Sequence, residues 1–331
     1  MDRITIIGET SMALSIGLAL KSANLPNTEI VGSSGDKRVL STAKDLDAYD
    51  KIFTRLGDAI DESKLIVIDI PFSDMRDMLE ALGPVVDEGC IITDTSFSKV
   101  QVMKWAADIL PETVHFVGGH PLMNKPLPSL ADANAEIFKG INYCLMPSPS
   151  ASEDAVKTLA NLLEILKAKP LFMDPKEHDS YTSAMEVLPL VLSSAMMSAV
   201  SKGESWREMY KLAGSKFSEY SLLAAEDPID SEAYCLANAE GIIYWLDQMI
   251  TELYSYRNMI KNEDDELVTS FVQSWENRKK WEIGQVIPSP ESTLPTSGEP
   301  MAAAFLGDRL LRRFRQVSDN DKTDSWKYIK R

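Results

Sequence analysis

Histidine is the only side chain whose ordinary pKa lies close to neutrality, and this chain has three: His115, His120 and His178. His120 stands in Gly118-Gly119-His120-Pro121, where an imidazole could accept a proton near neutral pH or serve as a structural residue in a strand-to-loop turn; His115, ahead of an apolar strand, reads as structural. A second set of residues opens the chain. The apolar run Ile4 to Ile7 ends at Gly8, and Gly8-Glu9-Thr10-Ser11-Met12-Ala13 leads into a helical stretch. In the dinucleotide fingerprint G-x-G-x-x-G the first Gly makes the turn, the second lets a pyrophosphate approach, and the third lets helix and strand pack closely. The slots here hold Gly8, Thr10 and Ala13. Ala substitutes in the third, whereas Thr10 puts a branched side chain at the second. The helix N-terminus remains an anion site, with Thr10, Ser11 and Met12 around it. The competing reading is a vestigial, empty loop.

After the second strand, an NAD site calls for an acid to bind the ribose hydroxyl, but the chain reads Ser33-Ser34-Gly35-Asp36-Lys37-Arg38. Small hydroxyls at Ser33 and Ser34 followed by the cations Lys37 and Arg38 suit a 2′-phosphate. This favours NADP over NAD, with a solvated turn, or Asp36 serving NAD, as alternatives. No His, Cys or carboxylate spacing suits a metal. Cys90, Cys144 and Cys235 are scattered and odd in number, which fits a reducing cytoplasm better than a disulfide framework.

These residues need a scaffold, and the pattern supplies one. Of 331 residues, 44% are hydrophobic and 25% charged, ordinary for a globular chain and sufficient for two domains. Up to about residue 173, β-branched runs alternate with amphipathic stretches, the signature of βαβ units and a parallel sheet. Strands are expected at 4–7, 29–31, 65–70, 90–93, 115–117, 143–146 and 170–173, with helices at 11–22, 72–83, 98–109 and 151–168. The fold class is α/β: a Rossmann-type dinucleotide-binding domain (1–173) followed by an all-α domain (174–284). The uncharged run Val187 to Val200 is too short to span a bilayer and reads as a buried helix in a bundle that continues into a partner subunit, hence a homodimer. Residues 285–331 form a Pro- and Ser-rich linker, "IPSPESTLPTSGEP", and a tail with Arg309, Arg312, Arg313 and Arg315. A net charge of -16 argues against nucleic-acid binding, and the absence of a leader at Met1 against export.

The stretches "ITIIGETSMALSIGLALK", "SKLIVIDIP", "GCIITDTSFSKVQV", "HFVGGHPLMN", "IFKGINYCLMPSP" and "FMDPKEHDSYTSAMEVLP" resemble, in order and spacing, the prephenate/arogenate dehydrogenase family over roughly residues 3 to 280. The resemblance implies hydride transfer to a nicotinamide coupled to decarboxylation of a small cyclohexadienol, on the route to tyrosine. It places His120 on the catalytic histidine that accepts the hydroxyl proton, and His178 on a domain-junction motif as a structural residue. It puts Ile70 and Pro71 beside the cofactor, and Ser96, Asn124, Lys125 and Lys216 near the substrate. The orienting Ser of the family falls on Phe97, flanked by Ser96 and Ser98; Ser98 is taken for that role, with helix capping as its alternative.

Other motif positions depart. A Ser-His-Leu-Pro-His stretch becomes Glu186-Val187-Leu188-Pro189-Leu190, and two arginines expected for substrate carboxylates become Ser218 and Leu222. Glu186 and Glu219 would repel an anion. Two further readings stay open: an oxidoreductase acting on a less anionic substrate, or a silent relative that binds a nucleotide or a partner protein.

Overall fold

The structure, a computed structural model, describes residues 2–125 and 129–284, so the expected linker and basic tail at 285–331 lie outside the described residues. The chain divides into two compact units, Met1–Leu246 and Asp247–Arg331.

The first unit is built on eight strands: β1 (Asp2–Gly8), β2 (Thr28–Ser33), β3 (Lys51–Phe53), β4 (Ser63–Asp69), β5 (Ile91–Asp94), β6 (His115–Pro121), β7 (Asn142–Pro147) and β8 (Lys169–Phe172). They form one sheet in the order β3-β2-β1-β4-β5-β6-β7-β8. Their side chains alternate between two cores. Ile6, Leu65 and Val67 enter one and Ile7, Ile66 and Ile68 the other, so the fully apolar run in β4 is the consequence of burial on both faces. The helices on these faces are α1 (Ser11–Ser22), α2 (Lys37–Asp45), α3 (Leu56–Ile60), α4 (Met75–Leu82), α5 (Val100–Ile109) and α6 (Glu153–Ile165). Tyr49 is wedged between α1 and β2, where a Cβ at Gly17 or Gly32 would come within 2.3 or 2.1 Å of its ring. Both glycines are therefore set by packing.

Every strand expected from sequence is present, and β3 is additional. The expectation of a parallel sheet needs correction, because β7 runs antiparallel to β6 and β8 parallel to β7. The described residues between β6 and β7 contain one 3-10 turn, Leu130–Asp132, and no crossover α-helix, so the chain returns in the opposite direction.

The remaining helices are α7 (Pro175–Thr182), α8 (Leu188–Ser201), α9 (Trp206–Met209), α10 (Ser215–Tyr220), α11 (Pro228–Ala237), α12 (Ala239–Asn262) and α13 (Glu266–Glu282). A π-helical turn, Ser183–Val187, fuses α7 and α8 into one helix of 27 residues, long and apolar enough to cross a membrane by length and composition alone. The sequence reading had counted only the uncharged run from Val187. That reading buried the run in a bundle continuing into a partner subunit; within the single chain Ser194, Ala195, Ser198 and Ala199 are exposed and Met196 and Met197 half-buried. Among the described residues nothing fully covers Ala195, Met196, Met197 and Ala199. In the second unit the end of α12 and α13 form a hairpin turned at Glu263, with Met259 and Val272 buried and the rings of Tyr256 and Phe271 at 5.4 Å.

Candidate active site

A cavity of about 420 Å³ opens at the C-terminal ends of β1, β4, β5 and β6. β1 lies between β2 and β4, so the chain leaves β1 towards one side of the sheet and later resumes on the other. The crevice at such a switch point is where doubly wound sheets bind ligands.

The β1–α1 turn forms one wall. Thr10 caps α1, its hydroxyl accepting from the Met12 N–H at 3.0 Å and donating to Asp69, the last residue of β4. Asp69 also accepts from the Ala13 N–H at 3.0 Å and from the Thr95 hydroxyl at 2.6 Å. Burial pushes the Asp69 carboxyl above the ordinary range, against those three hydrogen bonds. Gly8 lies directly beneath, where a Cβ would meet that of Ala13 at 2.1 Å. The first fingerprint slot thus keeps its packing role, and the second, Thr10, is turned inward onto a carboxylate.

The opposite wall is organised around His120. Its Nδ1 lies 2.9 Å from His178 Nε2, and His178 Nδ1 lies 2.9 Å from Asp179 Oδ1. Both rings and the carboxylate are buried. The carboxylate fixes the proton arrangement: Asp179 accepts from His178 Nδ1–H, which leaves Nε2 to accept from His120 Nδ1–H. His120 Nε2 therefore carries a lone pair. Burial, then His178 and Lys99, holds the His120 imidazole well below its usual pKa, so the ring is neutral at physiological pH. Asp179 is itself held by the backbone N–H groups of Lys99 and Val100, at 2.8 and 2.9 Å, at the start of α5.

Beneath His120, Lys99 and Asp94 form an ion pair with no exposed surface, and Ser96 donates to the same carboxylate. Burial pushes the Lys99 ammonium down, opposed by Asp94. Asp94 also accepts from the Gly119 N–H at 3.1 Å. A Cβ at Gly119 would stand 2.4 Å from the Asp94 carbonyl oxygen, which explains the glycine ahead of His120.

Two family models match this chain in succession. The one described as prephenate dehydrogenase, nucleotide-binding domain, covers residues 16–171, and the one described as prephenate dehydrogenase, dimerization domain, covers residues 174–274. The chain belongs to the prephenate dehydrogenase family. It is 28% identical over 268 residues to a prephenate dehydrogenase of Bacillus subtilis, covering 80% of this chain and 72% of that protein. It is 26% identical over 278 residues to a cyclohexadienyl dehydrogenase of Zymomonas mobilis, covering 83% and 94%. Among solved structures, the prephenate dehydrogenase of A. aeolicus in complex with hydroxyphenyl propionate and NAD+ has the same fold, with a TM-score of 0.75 at 20% identity over 86% of this chain and 98% of that one. Synechocystis arogenate dehydrogenase gives 0.67 at 21% identity, covering 84% and 99%.

In this member of the prephenate dehydrogenase family, Thr10, Ser11, Met12, Ile70, Pro71, Ser96, His120 and Lys125 all line the cavity. Ser33 and Ser34 are buried at the end of β2, and Lys37 and Arg38 are exposed at the start of α2, where Arg38 forks onto Asp36. Asn124 is exposed beside Lys125, and Lys216 is exposed on α10; neither is among the cavity's lining residues. Ser98 also lies off the cavity, and its buried hydroxyl has no hydrogen-bond partner among the described residues. The group bonded to His120 is His178, which sequence reasoning took as structural. Its signal was the adjoining Asp179, placed to fix a tautomer. Phe97 stacks on Tyr234 of α11 at 3.6 Å, with its ring 6.2 Å from His120. Asp69 was also missed; a charged residue closing the apolar run of β4 was the mark it left.

A neutral His120 makes the pH dependence directional. Activity that needs its free base falls as pH drops through the His120 pKa, so the acid limb of the kcat/KM profile is expected below the unperturbed 6.5. His178→Ala, which frees the His120 tautomer, is expected to lower kcat about tenfold or more with little change in KM. An acid limb at or above 6.5, or full activity in the variant, contradicts this arrangement.

Proposed function

We propose that this chain catalyses the oxidative decarboxylation of prephenate or arogenate, with His120 as general base. The observation that carries the reading is the free Nε2 of a buried, neutral His120 facing a cavity at the switch point of a dinucleotide-binding sheet. His120 takes the proton of the ring hydroxyl, whose O–H electron pair becomes part of the new C=O bond. The C–H pair leaves as hydride; as the C–CO2 bond breaks, its pair enters the ring and returns the C=O pair to oxygen, which regains the proton from His120 as the phenol of an aromatic ring. NAD(P), when bound, supplies the hydride acceptor. His178 and Asp179 position the base, while the Lys99–Asp94 pair and Ser96 hold the floor beneath it.

The cavity's charge favours one substrate. Lys125 is the lining cation among the described residues, against the carboxylates of Asp69, Glu186 and Asp230. Glu186 sits in the π-helical turn before Pro189, where the altered helical register carries it to the cavity. Burial, with Glu226 nearby, pushes its carboxyl up. Such a wall suits an ammonium better than a second anion, which supports arogenate, with its amino group, over prephenate, with its keto acid. At the adenosine end, Ser34, Lys37 and Arg38 support NADP, with the exposed Arg38–Asp36 pair exchanging for a 2′-phosphate. The uncovered apolar residues Met185, Leu236 and Ile243, together with the dimerization-domain match, support a homodimer that sedimentation equilibrium would read.

His120→Asn is expected to reduce kcat by about 10² to 10⁴ with an unchanged melting temperature; unaltered turnover would remove His120 from the chemistry. Wild-type kcat/KM is expected to be higher for arogenate than for prephenate, and Glu186→Gln to narrow that ratio about tenfold. Higher activity on prephenate, unaffected by Glu186→Gln, contradicts the charge reading. Run with each cofactor, the same assay is expected to give a lower KM for NADP than for NAD, and the reverse order assigns NAD.

A further inference from the structure

The dinucleotide fold presents the N-terminus of its first helix to the cofactor pyrophosphate, using backbone N–H groups and the positive end of the helix dipole. In this chain that terminus already holds an anion. Asp69 Oδ2 accepts from the Ala13 N–H and from the hydroxyl of the capping residue Thr10, and Oδ1 accepts from Thr95. The residue is 4% exposed, lines the cavity, and has no cation paired with it among the described residues. Glu9 adds a second carboxylate on the same turn, with its Oε1 3.8 Å from where a Cβ at Gly35 would stand. A pyrophosphate arriving here meets donors that are already engaged and a like charge in a poorly solvated site, where repulsion is screened least.

We propose that Asp69 is a built-in competitor for the cofactor pyrophosphate, an internal carboxylate that occupies the α1 N-terminus and sets the affinity of the dinucleotide. Thr10, the residue that breaks the glycine fingerprint, is part of the same device, because its hydroxyl ties the helix cap to that carboxylate. The inference rests on the reading of this cavity as the NAD(P) site and adds a residue that weakens binding there.

The test is isothermal titration of the full chain and of Asp69→Asn and Asp69→Ala with NAD+, NADP+, ADP-ribose, which carries the pyrophosphate, and adenosine, which carries no charge. Both variants are expected to bind ADP-ribose and the preferred dinucleotide about tenfold tighter or more than wild type, as expected when a charge-assisted hydrogen bond is regained, with adenosine affinity unchanged. Two variants guard against one that folds poorly; Asn keeps the size of the side chain and Ala vacates the site. Wild-type binding of a dinucleotide with no gain in either variant overturns the proposal and leaves the cofactor site standing. A parallel gain for adenosine also overturns it, since that reports a loosened pocket. Failure of all three proteins to bind any pyrophosphate ligand overturns the proposal and the NAD(P) reading together.

Discussion

Asp179 accepts hydrogen bonds from two backbone N–H groups at the start of α5 and, through the same carboxylate, from the ring of His178. The first pair docks α7 against the start of α5, just beyond Thr95, Ser96 and Phe97, which line the cavity. The second sets the proton on His178 and thereby the tautomer of His120. A single buried carboxylate therefore joins α7 to α5 and determines which nitrogen of His120 is free. Asn238, at the end of α11, adds a bond to the Asp179 carbonyl and ties the helix carrying Tyr234 to the same point. Removing one partner from such a network leaves a buried charge or donor unsatisfied, which costs more than the pair contributes.

Charge distribution is the second constraint. Lys99 and Asp94 are paired without access to solvent, so the floor of the cavity contributes a dipole and no net charge. Asp69, Glu186 and Asp230 then dominate the lining, with Lys125 opposing them. Of the residues that differ from the family pattern, Thr10, Phe97 and Glu186 line the cavity, while Leu190, Ser218 and Leu222 do not.

Much of the scaffold is legible in the residues. β4 shows as an unbroken apolar run because both faces are covered, α1 shows as a helix opened by a capping Thr, and β1, β2, β5 and β6 follow the same βαβ grammar. The strand β3 was missed because three residues carry too little periodicity. The reversal at β7 was missed because direction depends on the connection, and the segment after His120 has no pattern that reports its path. His120 was singled out because it falls on the catalytic histidine of the family that the chain resembles. Ser98 was taken from the resemblance, as a neighbour of the family slot that Phe97 fills; Ser96 lines the cavity and Ser98 does not.

Local chemistry, then, determined what could be read from order along the chain: the alternation of strands and helices, the turn at Gly8, the candidate histidine His120 and the family to which they belong. Tertiary structure decided which side chains meet. His120 and His178 are 58 residues apart, Lys99 and Asp179 are 80 apart, and Thr10 and Asp69 are 59 apart, yet each pair shares a hydrogen bond. The physical reason is that a buried polar group must find a partner wherever the fold brings one within reach. Sequence periodicity reports which face of an element is buried; it carries no record of the distant group against which that face will close.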